Sequence, residues 1–469
     1  MTILLEKKTA AANAEAGQPA APLSGGKEEF ERSRLQLQEK HDLAIVGVVV
    51  IAVVALLMMT ISYQIVFILY AVLSIFFFTS YLILWTDGAK DEPFVPEPKK
   101  YPHVTLIIPS YNSKKTIFEC ISACKAMQYS GKFDILVVDD GSTDGSREML
   151  EQRKDITLLR NPRNLGKAAA LNYGVSKAEG DIVCCIDSDT YPQPQTLQKA
   201  VKHFWEKPNT ASVVVFVRTS EPTNLLQRIQ EIEYWVSFGF FFKVISSING
   251  IYVTPGPTAL YDKSILQKLG GYDEKNLCED LEIALRMQKA GYKICACHET
   301  YVRTDVPDNL RALYKQRVRW YRGGLMNMLR YVDLFFNPKY GELGLFVLPT
   351  MLGSGFVAAL FMSWMLLSWS QSLINWAAPF AYSFSGGASS AALGFAVTGI
   401  LVQSTWLLGL FSMAIWSYFV IKSFEMTNTE MELKHVLPLA CLLWVYPIFI
   451  GIVYMVSYLS ELFGTKYTW

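Results

Sequence analysis

The sequence predicts a membrane-embedded α/β protein in which one soluble domain lies between two groups of transmembrane helices. The chain has 469 residues, 51% of them hydrophobic, and a mean hydropathy of +0.22. The apolar residues collect near residues 42–86 and 342–463. The stretch between these blocks alternates β-branched runs with helical patterns, which is typical of an α/β domain with a mostly parallel sheet.

The first apolar block is long enough for two membrane crossings. Leu43–Thr86 has about twice the ~20 residues that one transmembrane helix needs. Its most polar interior point is Thr60–Gln64, which favours two helices joined by a tight turn over one long tilted helix. Residues 1–41 are rich in Ala, Gly and Glu, and we expect a flexible tail without a signal-peptide pattern.

Residues 100–309 form the predicted soluble domain. The helical stretches in it include Lys114–Met127 and Lys167–Ala178. Ligands bind beyond the carboxyl ends of the strands in such sheets, so polar residues at these ends are candidate site residues. The predicted strands are His103–Ile108, ended by Pro109, and Phe133–Val138, Ile156–Leu159, Ile182–Ile186 and Ala211–Val217.

A basic amphipathic segment follows at residues 310–340. Apolar residues recur at helical spacing from Tyr321 to Phe335. A helix of this kind beside apolar segments suits the cytoplasmic headgroup zone of a membrane, and the alternative is a solvated charged face. The positive side chains are Arg311, Lys315, Arg317, Arg319, Arg322 and Arg330.

Three further apolar blocks within 342–463 predict about three more spans, near Leu343–Trp369, Ala391–Val420 and Val436–Leu462. Ser370–Ser390 has no charged residue, whereas Ile421–His435 contains two lysines and a histidine. The positive-inside rule therefore predicts a cytoplasmic soluble domain in a multi-pass protein of the cell membrane.

Charge and cysteine content argue against a nucleic-acid-binding protein and against a zinc-binding one. The 43 basic residues nearly cancel the 42 acidic ones, so the composition does not indicate a nucleic-acid partner. The eight cysteines are scattered, and Cys295 with Cys297 lacks the second pair of a zinc site. We expect all of them to be reduced packing residues.

Two acidic clusters follow predicted strands. Asp187 and Asp189 close the apolar run Ile182–Ile186 and can bind a hard divalent ion together with the diphosphate that it neutralises. Two aspartates at this spacing are also common in surface turns. Asp139 and Asp140 directly follow the predicted strand Phe133–Val138. They can accept hydrogen bonds from a nucleobase or ribose, or they can form a turn with a helix cap.

Three further motifs lie at helices. Asn164–Lys167 opens a helix as either an anion site or a plain N-cap. Glu279–Asp280 begins another, where a carboxylate can be a general base or a favourable acidic first turn. Gln316, Arg319 and Trp320 are helical neighbours that can bind a diphosphate and a sugar face, or simply belong to a membrane-surface helix.

In order and spacing, these motifs resemble those of the processive family 2 inverting glycosyltransferases, which include the hyaluronan, chitin, cellulose and poly-N-acetylglucosamine synthases. The resemblance covers about residues 100–340. Together with Leu313–Trp320, the pattern of spans looks most like that of the bacterial poly-N-acetylglucosamine synthases. The six ordered motifs are Pro109-x-Tyr111-Asn112, Asp139-Asp140-Gly-Ser-Thr-Asp144, Asn164-x-Gly-Lys167, Asp187-x-Asp189, Glu279-Asp280 and Gln316-x-x-Arg319-Trp320.

The resemblance implies a GT-A fold, which has a Rossmann-like mixed sheet, and an inverting single displacement from a nucleotide diphosphate sugar, expected to be a UDP-sugar. It implies Asp280 as the general base, with Asp187 and Asp189 holding Mg²⁺ or Mn²⁺. The implied donor-binding residues are Tyr111, Asp139, Asp140, Lys167, Asp187, Gln316 and Arg319. The implied acceptor-binding residues are Trp320, Glu279, Pro255 and Gly256.

The chain departs from the family pattern in places. Ser113 stands where cellulose synthases often have glutamate, and Cys278 stands where threonine is common before Glu279. Phe463–Lys466 is similar to a C-terminal motif of hyaluronan synthases, but five spans would leave it outside the cell.

The leading hypothesis is a synthase that extends a polysaccharide and passes it through its own helices. The alternative is a transferase that adds one sugar to a membrane lipid. A non-catalytic channel would be expected to lose a key carboxylate, yet Asp187, Asp189 and Asp280 are present. The sugar, the linkage and any accessory subunit are left open by the sequence.

Overall fold

A computed structural model describes residues 63–86, 95–384, 404–427 and 429–465. The predicted tail 1–41, the first predicted span before residue 63, residues 391–403 of the predicted span Ala391–Val420, and Lys466 lie outside the described residues. Of the uncharged segment Ser370–Ser390, which the positive-inside rule predicts to lie outside the cell, residues 385–390 are not described. Residues 370–384 are helical and continue the helix that contains the predicted span near Leu343–Trp369.

An eight-stranded mixed sheet forms the centre of the soluble domain, in the order β3-β2-β1-β4-β7-β6-β8-β5. Strands β1 to β4 pair in parallel, β7 is antiparallel to both β4 and β6, β8 is parallel to β6, and β5 is antiparallel to β8. The strands are β1 Val104–Ser110, β2 Phe133–Asp139, β3 Thr157–Arg160, β4 Ile182–Ile186, β5 Thr190–Pro192, β6 Thr210–Thr219, β7 Thr258–Asp262 and β8 Lys293–Thr304.

All five predicted strands are present, within two residues of their predicted bounds at each end. The prediction that Pro109 ends the first strand is wrong, because β1 continues to Ser110. Strand β4 pairs with β1 only as far as Ile107, so the missing N–H of Pro109 falls where β1 has a partner on one side alone. Strands β5, β7 and β8 were not predicted, and their antiparallel pairs make the sheet mixed.

Helices pack on both faces of the sheet, and further helices follow the last strand towards the C-terminus. The segment predicted as amphipathic helix to residue 340 is one helix to Arg330, followed by short 3₁₀ turns at Val332–Leu334 and Pro338–Tyr340. The helices are α1 Tyr63–Leu84, α2 Ile117–Lys125, α3 Ser146–Glu151, α4 Lys167–Lys177, α5 Thr196–Lys202, α6 Leu225–Tyr234, α7 Lys243–Ser247, α8 Lys263–Lys268, α9 Glu279–Lys289, α10 Leu310–Arg330, α11 Leu348–Phe384, α12 Ser404–Met426, α13 Leu433–Trp444 and α14 Tyr446–Leu462.

The sheet separates two hydrophobic cores because successive strand residues point to opposite faces. Ile107 of β1 packs with residues of α4 and α9, whereas its neighbours Leu106 and Ile108 pack with residues of α2 and α5. These layers fix the beginnings of α4 and α9 relative to the ends of the central strands.

An aromatic π-helical segment, Trp235–Phe242, joins α6 to α7 and was not predicted as an element. Phe240 is fully buried with Phe419 of α12, and Tyr81 of α1 packs edge-on against Phe241. The sheet domain therefore contacts helices α1 and α12 through Trp235–Phe242, in which five of the eight residues are aromatic.

Among the described residues, the stretch Leu343–Met365 is long and apolar enough to cross a membrane. Helices α13 and α14 pass the same test only as a pair, bent by 40°. The number of spans therefore stays a prediction.

Gly174 on α4 provides a test of how closely this helix lies on the sheet. A Cβ at this position would lie 2.5 Å from Cγ2 of Ile107. We expect Gly174→Val to destabilise the fold by about 1–3 kcal/mol through overpacking. The melting temperature of the full chain in detergent should fall by several degrees. The control Ser176→Val places the same residue on the exposed face of α4, and an equal loss for both variants would contradict this packing.

Candidate active site

Carboxylates gather where β4 ends and α9 begins. Asp187 and Asp189 follow Ile186, the last residue of β4, and Glu279 and Asp280 are the first two residues of α9. The backbone N–H and the hydroxyl of Thr254 both donate to the carbonyl oxygen of Asp280, at 3.2 and 2.8 Å. The sequence-predicted motifs on these two elements lie together, because Nζ of Lys167 is close to both Asp187 and Glu279.

Lys167 lies between the two acidic pairs. Its Nζ is 2.5 Å from Oδ1 of Asp187 and 3.5 Å from Oε1 of Glu279. Burial opposes the charge of this lysine, but Asp187, Glu279 and Asp280 together raise its pKa. The first residue of α4 is thus a fixed positive charge within the acidic cluster.

Gly256 passes close to this ion pair. A Cβ on residue 256 would lie 2.6 Å from Nζ of Lys167 and 2.7 Å from Oδ2 of Asp187. Pro255, Gly256 and Asp280 line the same small cavity as Lys167. The predicted acceptor residues Pro255 and Gly256 are therefore brought to the site, and only glycine leaves the ion pair undisturbed at position 256.

Asp280 has the properties of a base that functions near neutral pH. Its Oδ1 accepts a hydrogen bond from the N–H of Leu281 at 2.8 Å. Burial, followed by the charge of Glu279, raises the pKa of Asp280 to about 6, while Lys167 and Arg319 act in the opposite direction. A carboxylate with this pKa is ionised at pH 7 and is a stronger base than an exposed aspartate.

Asp187 and Asp189 are suited to a shared cation. Burial and the charge of Asp187 raise the pKa of Asp189, and Asp305 adds to this repulsion. Within the described residues, no three His, Cys, Asp or Glu side chains are grouped to hold an ion by themselves. Magnesium typically uses one or two carboxylates plus substrate phosphates, so this pair fits an ion that arrives with a diphosphate.

Asp305 was missed by the sequence analysis. Its N–H donates to the carbonyl oxygen of Asp189 at 3.2 Å, and its Oδ2 accepts from the hydroxyl of Tyr191 at 3.0 Å. It follows β8, a strand that was not predicted. Its sequence signal is weak, an aspartate directly after Tyr301–Thr304, where only Val302 and Thr304 are β-branched.

Asp139 and Asp140 are buried, and both have protein partners. Nε of Arg147 donates to Asp139 at 2.6 Å. Asp140 shapes the turn before α4, where Gly166 has a φ of +96°. The donors to Asp140 are Asn161 Nδ2 at 2.7 Å, Leu165 N at 3.0 Å and Gly166 N at 2.8 Å.

Tyr111 lies beyond β1, next to the Asp139–Asp140 end of β2. Its side chain is 47% exposed, so one face is available to a ligand. The next residue, Asn112, has a φ of +52° and accepts from the N–H of Thr143 at 2.8 Å. The nucleoside-binding roles of Tyr111, Asp139 and Asp140 stay predictions.

Helix α10 brings Arg319 to the acidic cluster, with Trp320 beside it and Gln316 one turn earlier on the same helix. Oε1 of Gln316 is buried and has no hydrogen-bond partner among the described residues. Burial opposes the charge of Arg319, but Cys278, Glu279 and Asp280 raise its pKa. The helix therefore presents the positive charge of Arg319 to the cluster.

Arg317 was assigned only to a charged helix face, and the structure buries it. Its Nη2 is 2.6 Å from Oε2 of Glu233, which also accepts from the hydroxyl of Tyr446 at 2.9 Å. The guanidinium lies 4.3 Å from the ring centroid of Trp320. Arg317 thus holds Trp320 against α6 and the beginning of α14.

Residues 105–270 match the family described as Glycosyl transferase family 2. The predicted resemblance to the family 2 glycosyltransferases is confirmed for these residues, which make up about a third of the chain.

Among curated proteins, the chain is similar to bacterial poly-beta-1,6-N-acetyl-D-glucosamine synthases, as the motifs predicted. It is 28% identical over 278 residues to the protein of Staphylococcus aureus strain COL, covering 59% of this chain and 66% of that one. It is 27% identical over 281 residues to the protein of Staphylococcus epidermidis, covering 57% and 68%. The alignment thus spans just under two thirds of the first relative's length.

Two solved structures are also similar. The mannosyltransferase PcManGT from Pyrobaculum calidifontis, in complex with GDP-Man and Mn²⁺, is 19% identical with a TM-score of 0.49, covering 83% of this chain and 100% of that one. S. aureus TarS 1-349 is 17% identical with a TM-score of 0.36, covering 78% and 93%.

The buried pair of Arg317 and Glu233 gives a stability prediction. Glu233→Gln removes the charge opposite a buried guanidinium, which costs about 3–5 kcal/mol when one partner of such a pair is lost. We expect the melting temperature of the full chain to fall by several degrees. Replacing both residues with methionine should recover part of this loss, because no uncompensated charge is then buried.

The control for this pair is Glu425→Gln. Lys422 and Glu425 are 2.6 Å apart with side chains 30% and 57% exposed, and such a surface pair contributes about 0–1 kcal/mol. Equal melting temperatures for Glu233→Gln and the unmodified chain would show that the pair does not hold α10 in place.

Proposed function

We propose that this chain is a membrane-embedded inverting glycosyltransferase with a GT-A fold that uses a nucleotide diphosphate sugar, expected to be a UDP-sugar. The observation that carries the proposal is the arrangement of a partly buried base, Asp280, beside two fixed positive charges, Lys167 and Arg319, and a carboxylate pair suited to a cation. These are the groups that a displacement at an anomeric carbon requires.

In the proposed reaction, Asp280 accepts the proton of an acceptor hydroxyl. Its Oδ1 accepts from the N–H of Leu281, which leaves Oδ2 for this proton. The hydroxyl oxygen bonds to the anomeric carbon while the bond from that carbon to the diphosphate oxygen breaks, which inverts the configuration. The departing diphosphate carries away the bonding electrons as negative charge.

Lys167 and Arg319 would stabilise that charge, since both already lie within a cluster that favours their protonated forms. Mg²⁺ or Mn²⁺ held by Asp187 and Asp189 would supply Lewis-acid assistance to the leaving group. Tyr111, Asp139 and Asp140 would line the nucleoside side of the site, and Glu279 would face the acceptor.

We assign polymer extension and translocation as the particular activity. The support is the position of Trp320, which stacks on Arg317 and so connects through Glu233 to Tyr446 at the beginning of α14. An indole at this point could hold the terminal sugar of a chain between the base and the apolar helices. The named activity of the curated relatives favours N-acetyl-D-glucosamine as the sugar.

In this proposal the soluble domain is cytoplasmic, in a multi-pass protein of the cell membrane. The exposed apolar side chains at the end of α10, Leu329 at 59%, Val332 at 62% and Phe336 at 74%, support contact with a lipid surface. Lys339 in the same stretch is exposed and would face anionic headgroups.

Product length tests the assignment. The full chain in membranes is incubated with radiolabelled nucleotide sugars and a divalent metal, and the products are separated by size. We expect a polysaccharide, with UDP-N-acetylglucosamine as the effective donor. A lipid carrying a single sugar as the only product would instead support the alternative of one addition to a membrane lipid.

Asp280→Asn should abolish transfer. The amide cannot accept the proton, and the local geometry changes as well, so we expect the rate to fall by several orders of magnitude. The control Asp155→Asn alters an exposed aspartate paired with Lys125 and Arg153, and it should retain the full rate. Full activity in Asp280→Asn would show that another group is the base.

The pH dependence follows from the pKa of Asp280, which is raised to about 6. The reaction needs the ionised form, so kcat/KM should be constant above neutral pH and fall tenfold per pH unit well below 6. The profile is measured at several metal concentrations up to saturation. A midpoint that moves with metal concentration would assign the titration to Asp187 and Asp189 instead.

A further inference from the structure

A pair of asparagines joins the helix of the proposed base to the helix of Trp320. Nδ2 of Asn276 donates to Oδ1 of Asn327 at 2.7 Å, and Nδ2 of Asn327 donates back to Oδ1 of Asn276 at 3.1 Å. Asn276 lies just before α9, and Asn327 lies on α10 and is 1% exposed. We call these two residues the amide pair.

The amide pair also holds the backbone that leads into the acidic residues. Oδ1 of Asn276 accepts from the N–H of Cys278 at 3.0 Å, and Nδ2 of Asn327 contacts the carbonyl oxygen of Cys278 at 3.3 Å. Cys278 is the residue directly before Glu279 and Asp280. Both peptide groups of Cys278 are therefore held by the amide pair.

Helix α10 approaches this backbone very closely. A Cβ on Gly323 would lie 2.4 Å from Sγ of Cys278, so no larger residue fits at position 323. The same sulfur lies 3.6 Å from the carbonyl oxygen of Arg319. Burial raises the pKa of the Cys278 thiol, which stays protonated and can donate in this contact. The beginning of α9 is thus fixed one turn beyond Trp320.

We propose that Asn276 and Asn327 are positioning residues for sugar transfer, because they hold the Asp280 carboxylate at a fixed place relative to Arg319 and Trp320. The proposal rests on the proposed function of Asp280. Two reciprocal hydrogen bonds between the side-chain amides define both the distance and the orientation of α9 relative to α10, whereas a single hydrogen bond would leave the two helices free to rotate about it. Displacement of a reacting group by about 1 Å can cost 10²-fold in rate.

The test is Asn327→Asp in the full chain. The new carboxylate oxygen faces Oδ1 of Asn276 and the carbonyl oxygen of Cys278, so two attractive contacts become acceptor–acceptor contacts. We expect kcat to fall about 10- to 100-fold while KM for the donor changes less than threefold. The proposed donor contacts come from Lys167, Arg319, Gln316 and the residues beyond β2 and β4, whereas the hydrogen bonds of the amide pair described above go to each other and to the backbone of Cys278.

The matched control is Asn309→Asp on the same helix. Asn309 caps α10 by accepting from the N–H of Ala312 at 2.9 Å, and aspartate caps equally well. This variant should have the kcat and KM of the unmodified chain. If Asn327→Asp does not fold, Asn276→Asp changes the less buried partner and should show the same separation of kcat from KM.

A double change tests whether the two residues act as a unit. Each alanine substitution leaves one amide without its partner, and the double variant removes both. The fold-loss of kcat in the double variant Asn276→Ala with Asn327→Ala should therefore be smaller than the product of the fold-losses of the two single variants. Multiplicative effects would contradict a joint role.

The outcomes separate this proposal from the function on which it rests. Full kcat in a folded Asn327→Asp or Asn276→Asp, or a loss shared equally by kcat, donor affinity and melting temperature, would overturn the positioning role. Absence of transferase activity in the unmodified chain, or full activity in Asp280→Asn, would instead overturn the proposed function.

Discussion

The site depends on one electrostatic constraint, the accumulation of negative charge at the end of β4 and the start of α9. Asp187, Glu279 and Asp280 surround Lys167, which together with Arg319 compensates their negative charge in the described structure. Like charges held this close raise one another's pKa unless a positive group lies between them. The fold provides that group from the first residue of α4.

The same constraint explains how the cluster could function. Repulsion and burial raise the pKa of Asp280 towards neutrality, as a general base needs, and they raise that of Asp189 as well. A divalent cation that arrives with a diphosphate would relieve the repulsion between Asp187 and Asp189. The electrostatic cost of bringing these carboxylates together would thus favour the binding of a metal-bound donor.

Helix α10 contacts both the beginning of α9 and the C-terminal helices. On one side it holds the beginning of α9 through Asn327 and Gly323. On the other it contacts the C-terminal helices, through the buried Arg317 pair and through Tyr321, which stacks on Tyr454 with centroids 3.9 Å apart. The proposed base and the apolar helices therefore share one rigid support.

The sequence analysis was most successful where local pattern determines structure. Strand β4 matched its prediction because Ile182–Ile186 is a continuous apolar run buried on both faces, and Asp187 follows it directly. Strand β7 was missed because five residues after Pro-Gly-Pro have no distinct periodicity, and their antiparallel pairing is decided by strands distant in sequence. The mixed sheet could therefore not be derived from period alone.

The candidate site also contains residues that local motifs identify and residues that only tertiary packing reveals. The ordered motifs identified Asp187, Asp280 and Arg319, which lie together as expected. Asn327 and Arg317 were not singled out, because a helical pattern does not reveal which polar residue of a helix is buried against another element. Their partners, Asn276 and Glu233, are 51 and 84 residues away in sequence. Such pairs depend on tertiary packing, which one sequence does not encode in any short window.

Binding of Mn²⁺, measured by calorimetry and electron paramagnetic resonance with and without uridine diphosphate, tests the central claim most directly. If the acidic cluster is assembled for a metal-bound donor, uridine diphosphate should tighten Mn²⁺ binding at least tenfold. Replacing both Asp187 and Asp189 with asparagine should abolish that increase. Equal Mn²⁺ affinity with and without the nucleotide, or an undiminished increase in the double variant, would contradict the account.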